Sequence, residues 1–238
     1  MAAGTVRGGV PGARLAVYKV CWDNECHGAD ILAAFDDAIA DGVDVISFSI
    51  GGKLPAPYFE DATAVGSFHA MRRGVLTSAA AGNFALYGGR VCNVAPWMLS
   101  VAASSTDRRL VDRIVLGNGK TITFMGGGGT GRAVIQGEDP SLTTPGNGAG
   151  PLQAGAAGAV IGTYEPDIAF SMPLPALTVT QDPFAKILDY VNRTRNPVGT
   201  IYSSETNFDA GAPIVASFSS PGPNIITPAI LKGSWPSG

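Results

Sequence analysis

Charged residues are scarce in this sequence, and its basic residues do not cluster. Only 15% of the 238 residues are Asp, Glu, Lys or Arg, and the formal net charge is −3 at pH 7. A protein that binds the phosphate backbone of nucleic acid needs a basic surface, so the sequence argues against a nucleic-acid partner. With 45% hydrophobic residues, the low charge favours a folded core built around a sheet over a disordered chain.

Long apolar runs are also missing. No stretch approaches the roughly 20 apolar residues that a membrane-spanning helix requires, so we expect no membrane partner. The first residues, MAAGTVRGGVPGAR, lack the apolar centre of a secretory signal peptide. Two expectations stay open: the chain is cytosolic, or it belongs to a longer protein that starts earlier.

Cysteine and histidine are too few for a disulfide scaffold or a metal cluster. Cys21 and Cys26 are close enough in sequence to pair, which would leave Cys92 free. Three unpaired thiols are the alternative, and the sequence leaves both open. Together with His27, this segment offers at most three ligands at unsuitable spacing. We therefore expect no zinc and no other metal.

The first hundred residues alternate between strand patterns and helix patterns. The predicted strands are Arg14–Val20, Val43–Gly52, 75–83 with its exit loop, and Trp97–Ser104, and the predicted helices are 29–42 and Asp61–Arg73. This rhythm predicts an α/β fold with a mainly parallel sheet, in which a ligand site lies beyond the carboxyl ends of the strands. Two of those ends are Gly51-Gly52 and Gly82-Asn83.

The two helix predictions rest on the spacing of apolar residues. Residues at helical spacing are Ile31, Leu32, Phe35, Ala38 and Ile39 in the first helix, and Ala64, Val65, Phe68 and Met71 in the second.

The composition changes after Asp112. A hairpin is predicted for residues 114–124, with its turn at Asn118-Gly119. A glycine-rich stretch follows, then a second α/β pattern with a helix over Asp182–Arg193 and, at Pro213–Ser220, a return to a buried-strand pattern. We therefore predict three segments, 1–125, 126–206 and 207–238.

The glycine-rich stretch contains the letters of a dinucleotide-binding motif. Gly126, Gly128 and Gly131 satisfy G-x-G-x-x-G. Such a site needs a helix directly after the glycines and an acidic residue about 20 positions on, and neither follows here. We expect no dinucleotide and no other cofactor.

Five segments, in this order, make the sequence specific: GGVPGARLAVYKVCW, ADILAAFDDAIADGVDVISFSIGG, AAAGN, CNVAPWMLSVAAS and ASFSSPGPNIITPAILK. Together they resemble plant subtilisin-like serine proteases of the cucumisin type, in peptidase family S8. The middle of the chain is similar to the protease-associated domain that this family inserts in its catalytic domain. The resemblance implies an incomplete subtilisin-like parallel-sheet sandwich with a small α/β insert in residues 126–206.

The resemblance implies roles for the strand ends. Asn83 matches the oxyanion-hole asparagine, whose side-chain amide donates to the negative oxygen of the tetrahedral intermediate. The residues that match the substrate-binding segments are Ser47, Phe48, Ser49, Ile50, Gly51 and Gly52 on one strand and Ala80, Ala81 and Gly82 on the opposite pocket wall. The implied partner is a polypeptide substrate. Outside this context, an asparagine after glycine is more often a turn residue.

Two motifs of the family do not occur in these 238 residues. The catalytic Asp and His belong to segments that precede these residues, the His in an HGTHT-like motif, and the nucleophilic Ser to a later GTSM-like motif. His27 and His69 lie in ordinary contexts, as do Ser67 and Ser234, so none is expected to replace them. Pro221 stands where the family usually has Arg.

Two hypotheses about function follow. The first is that the chain derives from a secreted serine endopeptidase and is inactive alone, as a partial gene product. The second is that it is a degenerate, non-catalytic homologue that binds peptides or proteins. For the family, the resemblance implies an extracellular, apoplastic location, where the sequon at Asn192 could be glycosylated.

Overall fold

The computed structural model describes residues 5, 7–23, 25–85, 87–125, 131–132, 134–136, 149–163 and 172–232. The chain divides into a first unit, formed by Arg7–Ser104 and Phe218–Gly238, and a second unit that contains Ser105–Ser217. Within the described ranges, no helix combines the length and the apolar character needed to cross a membrane.

The first unit contains a parallel sheet and two helices. Its elements are β1 (Cys21–Trp22), β2 (Glu25–Cys26), α1 (Gly28–Ala40), β3 (Val45–Phe48), α2 (Ala62–Arg72), β4 (Leu76–Ala80) and β5 (Leu99–Val101). The three-stranded sheet has the order β3-β4-β5. Val45 pairs with Leu76 and Ser78 pairs with Leu99, both in parallel register. The predicted α/β fold with a parallel sheet is confirmed.

Local chemistry explains where the helices begin and end. Asp61 caps α2 by accepting a hydrogen bond from the Thr63 amide at 2.8 Å. Gly42 follows α1 with φ of 72° and Gly74 follows α2 with φ of 80°, a region that glycine enters without steric cost. Both helices therefore end where their glycines predict.

The buried face of α2 is formed by small residues. Phe68 and Met71 are exposed, whereas Gly66 is buried against the ring of Phe35 on α1. The residues buried on α2 are Thr63, Ala64, Gly66, Ser67 and Ala70. The small side chains let α2 approach α1 closely, and the two large residues of the helical pattern, Phe68 and Met71, lie outside this contact. The core beneath contains Ile31, Phe35, Phe48, Ala64, Ala70, Val75, Ala79, Ala95 and Met98.

Two predicted strands do not form. No described strand pairs with Arg14–Val20, and the side chains of Leu15 and Val17 are 90% and 88% exposed. A strand needs a neighbour for its ladder of hydrogen bonds, and propensity alone does not supply one. Pro213–Ser220 is irregular, with only an isolated bridge at Val215, because its serines bond to loops where a ladder would be.

The second unit contains two sheets. Its elements are β6 (Arg108–Leu116), β7 (Thr121–Met125), β8 (Gly131–Arg132), β9 (Val134–Gln136), α3 (Ala149–Gln153), β10 (Ala159–Gly162), β11 (Ala176–Val179), α4 (Gln181–Arg193), β12 (Gly199–Ile201) and β13 (Glu205–Phe208). β6 pairs antiparallel with β7, β12 and β13, and β8 pairs with β12.

The predicted hairpin is confirmed. β6 and β7 form it around Asn118-Gly119, where Gly119 has φ of 81° and the Asn118 side chain accepts from the Lys120 amide. Of the glycines in the dinucleotide-like motif, Gly131 lies in β8, and Gly126 and Gly128 lie outside the described residues.

The other sheet of the second unit is parallel, in the order β11-β10-β9. Helix α4 packs on it through Phe184 and Ile187, which are buried with Val160, Leu177 and other core residues. The predicted helix over Asp182–Arg193 is therefore confirmed. Asn192 is exposed near its end.

Candidate functional site

Asn83 lies just beyond the carboxyl end of β4. Its side chain is exposed, and no described residue hydrogen-bonds to it. The preceding Gly82 has φ of +107°, which a side chain would make unfavourable. The turn after β4 therefore presents to solvent an amide whose donors have no partner among the described residues.

The end of β3 lies beside this turn. Phe48 pairs with Ala79, and a Cβ atom placed on Gly51 would lie 3.7 Å from the Cα of Gly82. Ser47, Ser49, Gly51 and Gly52 are exposed, Ile50 is half-buried, and the Phe48 side chain packs on Phe35 in the core. Because its side chain lies in the core, Phe48 could contact a ligand only through its main chain. On the facing wall, Ala80 and Gly82 are half-buried and Ala81 is buried.

Cys92 fills the space between the two walls. Its sulfur would be 2.6 Å from a Cβ on Gly51 and 3.0 Å from one on Gly82. The Cys92 amide donates to the Ala81 carbonyl at 2.9 Å. Burial raises the pKa of the thiol, so the sulfur stays protonated at neutral pH and is a packing group.

Asn93 ties the two strand ends together, and local sequence patterns missed it. Its Nδ2 donates to the carbonyl oxygens of Ile50 and Ala80, each at 2.8 Å. The residue is buried and adopts φ of 54°, in the left-handed region that asparagine tolerates better than most residues. One amide thus fixes the separation of the two walls.

A second layer supports Asn93. The Ser100 hydroxyl donates to the Asn93 carbonyl at 2.5 Å. Lys232 in turn donates to the Ser100 hydroxyl at 3.3 Å and to the Met98 carbonyl at 2.5 Å. Burial lowers the pKa of Lys232 because the ammonium has lost part of its hydration.

Ser220 is hydrogen-bonded to both sides of the turn that contains Asn83, and local sequence patterns missed this residue too. Its amide donates to the Gly82 carbonyl at 3.0 Å, and its Oγ accepts from the Phe84 amide at 2.9 Å. Neither Asn93 nor Ser220 could be found from local patterns, because Asn93 bonds to Ile50, 43 positions away, and Ser220 bonds to Phe84, 136 positions away. Their presence in CNVAPW and ASFSSPGPN was the one available sign.

The two histidines have no catalytic setting among the described residues. His27 is exposed, 3.7 Å from the exposed carboxylate of Glu25. His69 is exposed on α2, with its ring edge-on to Phe68. Ser67 is buried and bonded to the Ala64 carbonyl and to the indole of Trp97.

The remaining candidates are a disulfide and a metal site. The structure joins Cys21 and Cys26 in a disulfide across the β1–β2 ribbon, with Cα atoms 4.1 Å apart, and leaves Cys92 free. Within the described ranges, no group of three or more His, Cys, Asp or Glu residues is arranged to hold a metal ion.

Comparison with known proteins identifies the family. The model of the subtilase family, peptidase S8, matches residues 1–233. The chain belongs to the subtilase family. It is 41% identical to subtilisin-like protease SBT4.3 of Arabidopsis thaliana, over 98% of this chain and 36% of that protein. It is 44% identical to subtilisin-like protease SBT4.9 of the same plant, over 96% of this chain and 33% of that protein.

These matches confirm the predicted resemblance to plant subtilisin-like proteases. They also limit the extent of the resemblance, because the chain spans about a third of the length of these relatives. The assignment of Asn83 and of the two strand ends to an oxyanion hole and a substrate groove stays a prediction.

Proposed function

We propose that this chain carries the oxyanion-hole and substrate-binding portion of a serine endopeptidase and is inactive by itself. The observation that carries the proposal is the exposed Asn83 amide, free of described partners, beyond β4 and beside the end of β3. Membership of the subtilase family adds the reaction class, the hydrolysis of peptide bonds.

The proposed mechanism assigns each wall a task. An extended polypeptide substrate would pair with the main chain of residues 47–52, since β3 is at the edge of the described sheet β3-β4-β5. Its side chain would lie on the solvent side of the half-buried Ala80 and Gly82, because Cys92 fills the space between the two walls. As a nucleophile attacks the carbonyl, negative charge grows on its oxygen, and the Asn83 amide would donate to that oxygen. Loss of one such donor from a subtilisin costs roughly 10²–10³ in turnover.

Hydrolysis also needs a serine activated by a histidine, and a carboxylate that orients the histidine. The motifs that carry these groups in the family are missing from the 238 residues. The contacts that His27, His69 and Ser67 make among the described residues do not join a serine to a histidine. Asn83 would therefore have no intermediate to stabilise in this chain alone.

A direct assay tests the inactivity. The purified chain should neither cleave fluorogenic peptides nor react with a serine-directed phosphonate. Labelling of any serine, lost in the His27→Ala or His69→Ala variant, would overturn the proposal by revealing a triad within these residues.

A chimera tests the assigned role. Residues 1–238 would replace the matching third of SBT4.9, which supplies the rest of the enzyme. The chimera should hydrolyse peptides, and Asn83→Ala should lower kcat by roughly 10²–10³ with little change in KM. An active chimera that is indifferent to Asn83→Ala would contradict the oxyanion assignment.

A second candidate is a non-catalytic peptide-binding protein. It is favoured by the open strand ends together with the absent triad motifs. Under this alternative, the chain alone should bind extended peptides, and Gly51→Val, which brings a side chain against Cys92, should weaken binding.

We also propose that the parent protein is secreted and that residues 126–206 are a protease-associated insert. The Cys21–Cys26 disulfide and the exposed Asn192 sequon suit an oxidising, glycosylating compartment. The parallel sheet β9–β11 with α4 supports a small α/β insert. Glycan attached to Asn192 in protein recovered from plant apoplast would test the location.

A further inference from the structure

Ser220 contacts both peptide groups that flank Asn83. The Gly82 carbonyl, which accepts from the Ser220 amide at 3.0 Å, belongs to the peptide group before Asn83. The Phe84 amide, which donates to the Ser220 Oγ at 2.9 Å, belongs to the peptide group after it. Because each peptide group is planar, these two bonds together restrict both backbone dihedrals of Asn83. They therefore set the direction in which its side chain leaves the turn.

Packing makes this contact close. Ser220 is fully buried, and a Cβ atom on Gly82 would lie 2.6 Å from its Oγ. Any larger residue at position 82 would push Ser220 away, so the glycine and the serine form a matched pair. This adds a reason for glycine at position 82 beyond its positive φ.

The segment that carries Ser220 is itself anchored. The carbonyls of Pro221 and Gly222 accept from the amides of Arg90 and Gly89, at 3.2 and 3.1 Å. Ser219 points its Oγ the other way, toward the Ala103 amide at 3.2 Å. Ser220 is thus held at a defined place, and its neighbour provides a matched control that touches a different loop.

We infer that Ser220 is a positioning residue that orients Asn83 for donation to the developing oxyanion. The inference rests on the proposed function, which assigns Asn83 to the oxyanion hole. Its structural part, that Ser220 holds the turn, can be tested independently. In this proposal Ser220 does not touch the substrate and acts on Asn83 through its bonds to Gly82 and Phe84.

The first experiment measures hydrogen exchange with residue resolution in the 238-residue chain. Ser220→Ala should speed exchange of the Phe84 amide by about tenfold and leave the Cys92 amide unchanged. Ser220→Cys, which keeps the bulk but is a weaker acceptor, should give a smaller increase. Ser219→Ala should expose the Ala103 amide and leave Phe84 protected.

The outcomes of this experiment separate packing from hydrogen bonding. If Ser220→Ala leaves the Phe84 amide protected, the inference is wrong. If Ser220→Ala raises exchange throughout the unit, its effect on packing hides the effect of the lost hydrogen bond, and Ser220→Cys is the variant that distinguishes them. Faster exchange confined to Phe84 in Ser220→Cys supports the inference, and protection equal to the wild type overturns it.

The second experiment measures binding of two ligands to the same chain. One is a phosphinic peptide, which places a tetrahedral anion at the scissile position without a covalent step, and the other is the matched amide peptide. Asn83→Ala and Ser220→Ala should each weaken the phosphinic peptide by about tenfold and leave the amide peptide unchanged, because only the anion uses the donor. The double variant should be no weaker than Asn83→Ala alone.

These results keep the two claims apart. If the wild-type chain shows no preference for the phosphinic peptide, the proposed function fails, while exchange at Phe84 still decides whether Ser220 holds the turn. If the preference exists and depends on Asn83 but not on Ser220, the proposed function stands and the positioning role is wrong. Additive losses in the double variant would also overturn it, since Ser220 would then act independently of Asn83.

Discussion

The side-chain nitrogen of Asn93 lies 2.8 Å from the carbonyl oxygen of Ile50 and holds the end of β3 at a fixed distance from β4. Asn93→Ala removes this bond and its twin to Ala80, so that both carbonyls lose the amide donor, and places alanine at φ of 54°. We expect the free energy of unfolding to fall by about 3 kcal/mol.

Pulse proteolysis in urea measures this change at low protein concentration. Asn93→Gly is the control, because it accepts the backbone conformation and lacks only the amide, so it should lose less. A free energy of unfolding of Asn93→Ala within about 0.5 kcal/mol of the wild type would show that Asn93 does not hold the two strand ends together.

Gly66 should tolerate no side chain. A Cβ there would lie 2.4 and 2.5 Å from ring carbons of Phe35, so α1 and α2 would have to separate. Gly66→Ala should destabilise the fold by about 1–3 kcal/mol, although alanine is the better helix former. Gly150→Ala in α3, where nothing lies within 4 Å, is the control and should be neutral or stabilising. Equal midpoints for the two variants in urea would count against the close packing.

Cys92 should make stability fall at alkaline pH. Burial raises its pKa above the ordinary value of 9.0, so the unfolded thiol ionises while the folded one keeps its proton. This contribution is complete below about pH 9 and is lost as the pH rises toward the folded pKa. The free energy of unfolding should therefore drop more steeply above about pH 9 in the wild type than in Cys92→Ala. Parallel curves would refute the assignment, since Tyr18 and Lys232 titrate in both proteins.

One face of the first unit's sheet should bind a hydrophobic dye. The side chains of Val45, Leu76, Leu99 and Val101 are 57%, 47%, 52% and 50% exposed, although parallel sheets are usually covered on both faces. We expect marginal stability, aggregation and dye fluorescence from the isolated chain. Leu76→Thr with Leu99→Thr should lower the fluorescence, whereas the exposed Phe59→Thr, outside the sheet, should lower it less. A soluble monomer with a sharp, reversible thermal transition and no dye signal would contradict this.

Local patterns in the sequence predicted the elements whose ends depend on their own residues. The helices α1, α2 and α4 and the β6–β7 hairpin formed where apolar spacing, Gly42, Gly74 and Asn118-Gly119 indicated them. The parallel pairing of β3 and β4 followed from the alternation of helices and strands.

The same patterns failed where a neighbour decides the outcome. Arg14–Val20 has strand propensity and no described strand beside it. The packing of α2 followed the small Gly66, which fits against Phe35, and left Phe68 and Met71 outside. Hydrophobic spacing records what a side chain prefers, whereas its burial depends on which surfaces come together.

The sequence by itself determined the family and pointed to Asn83, because AAAGN is a continuous segment with a recognisable motif around it. Only the tertiary structure decided what holds that residue. Asn93 bonds to Ile50, which is 43 positions away in the sequence. Ser220 bonds to Phe84, which is 136 positions away, and residues Ser105–Ser217 of the second unit come between them in the sequence. Hydrogen bonds between such distant positions depend on how the chain returns to itself in space, and no local spacing encodes that return.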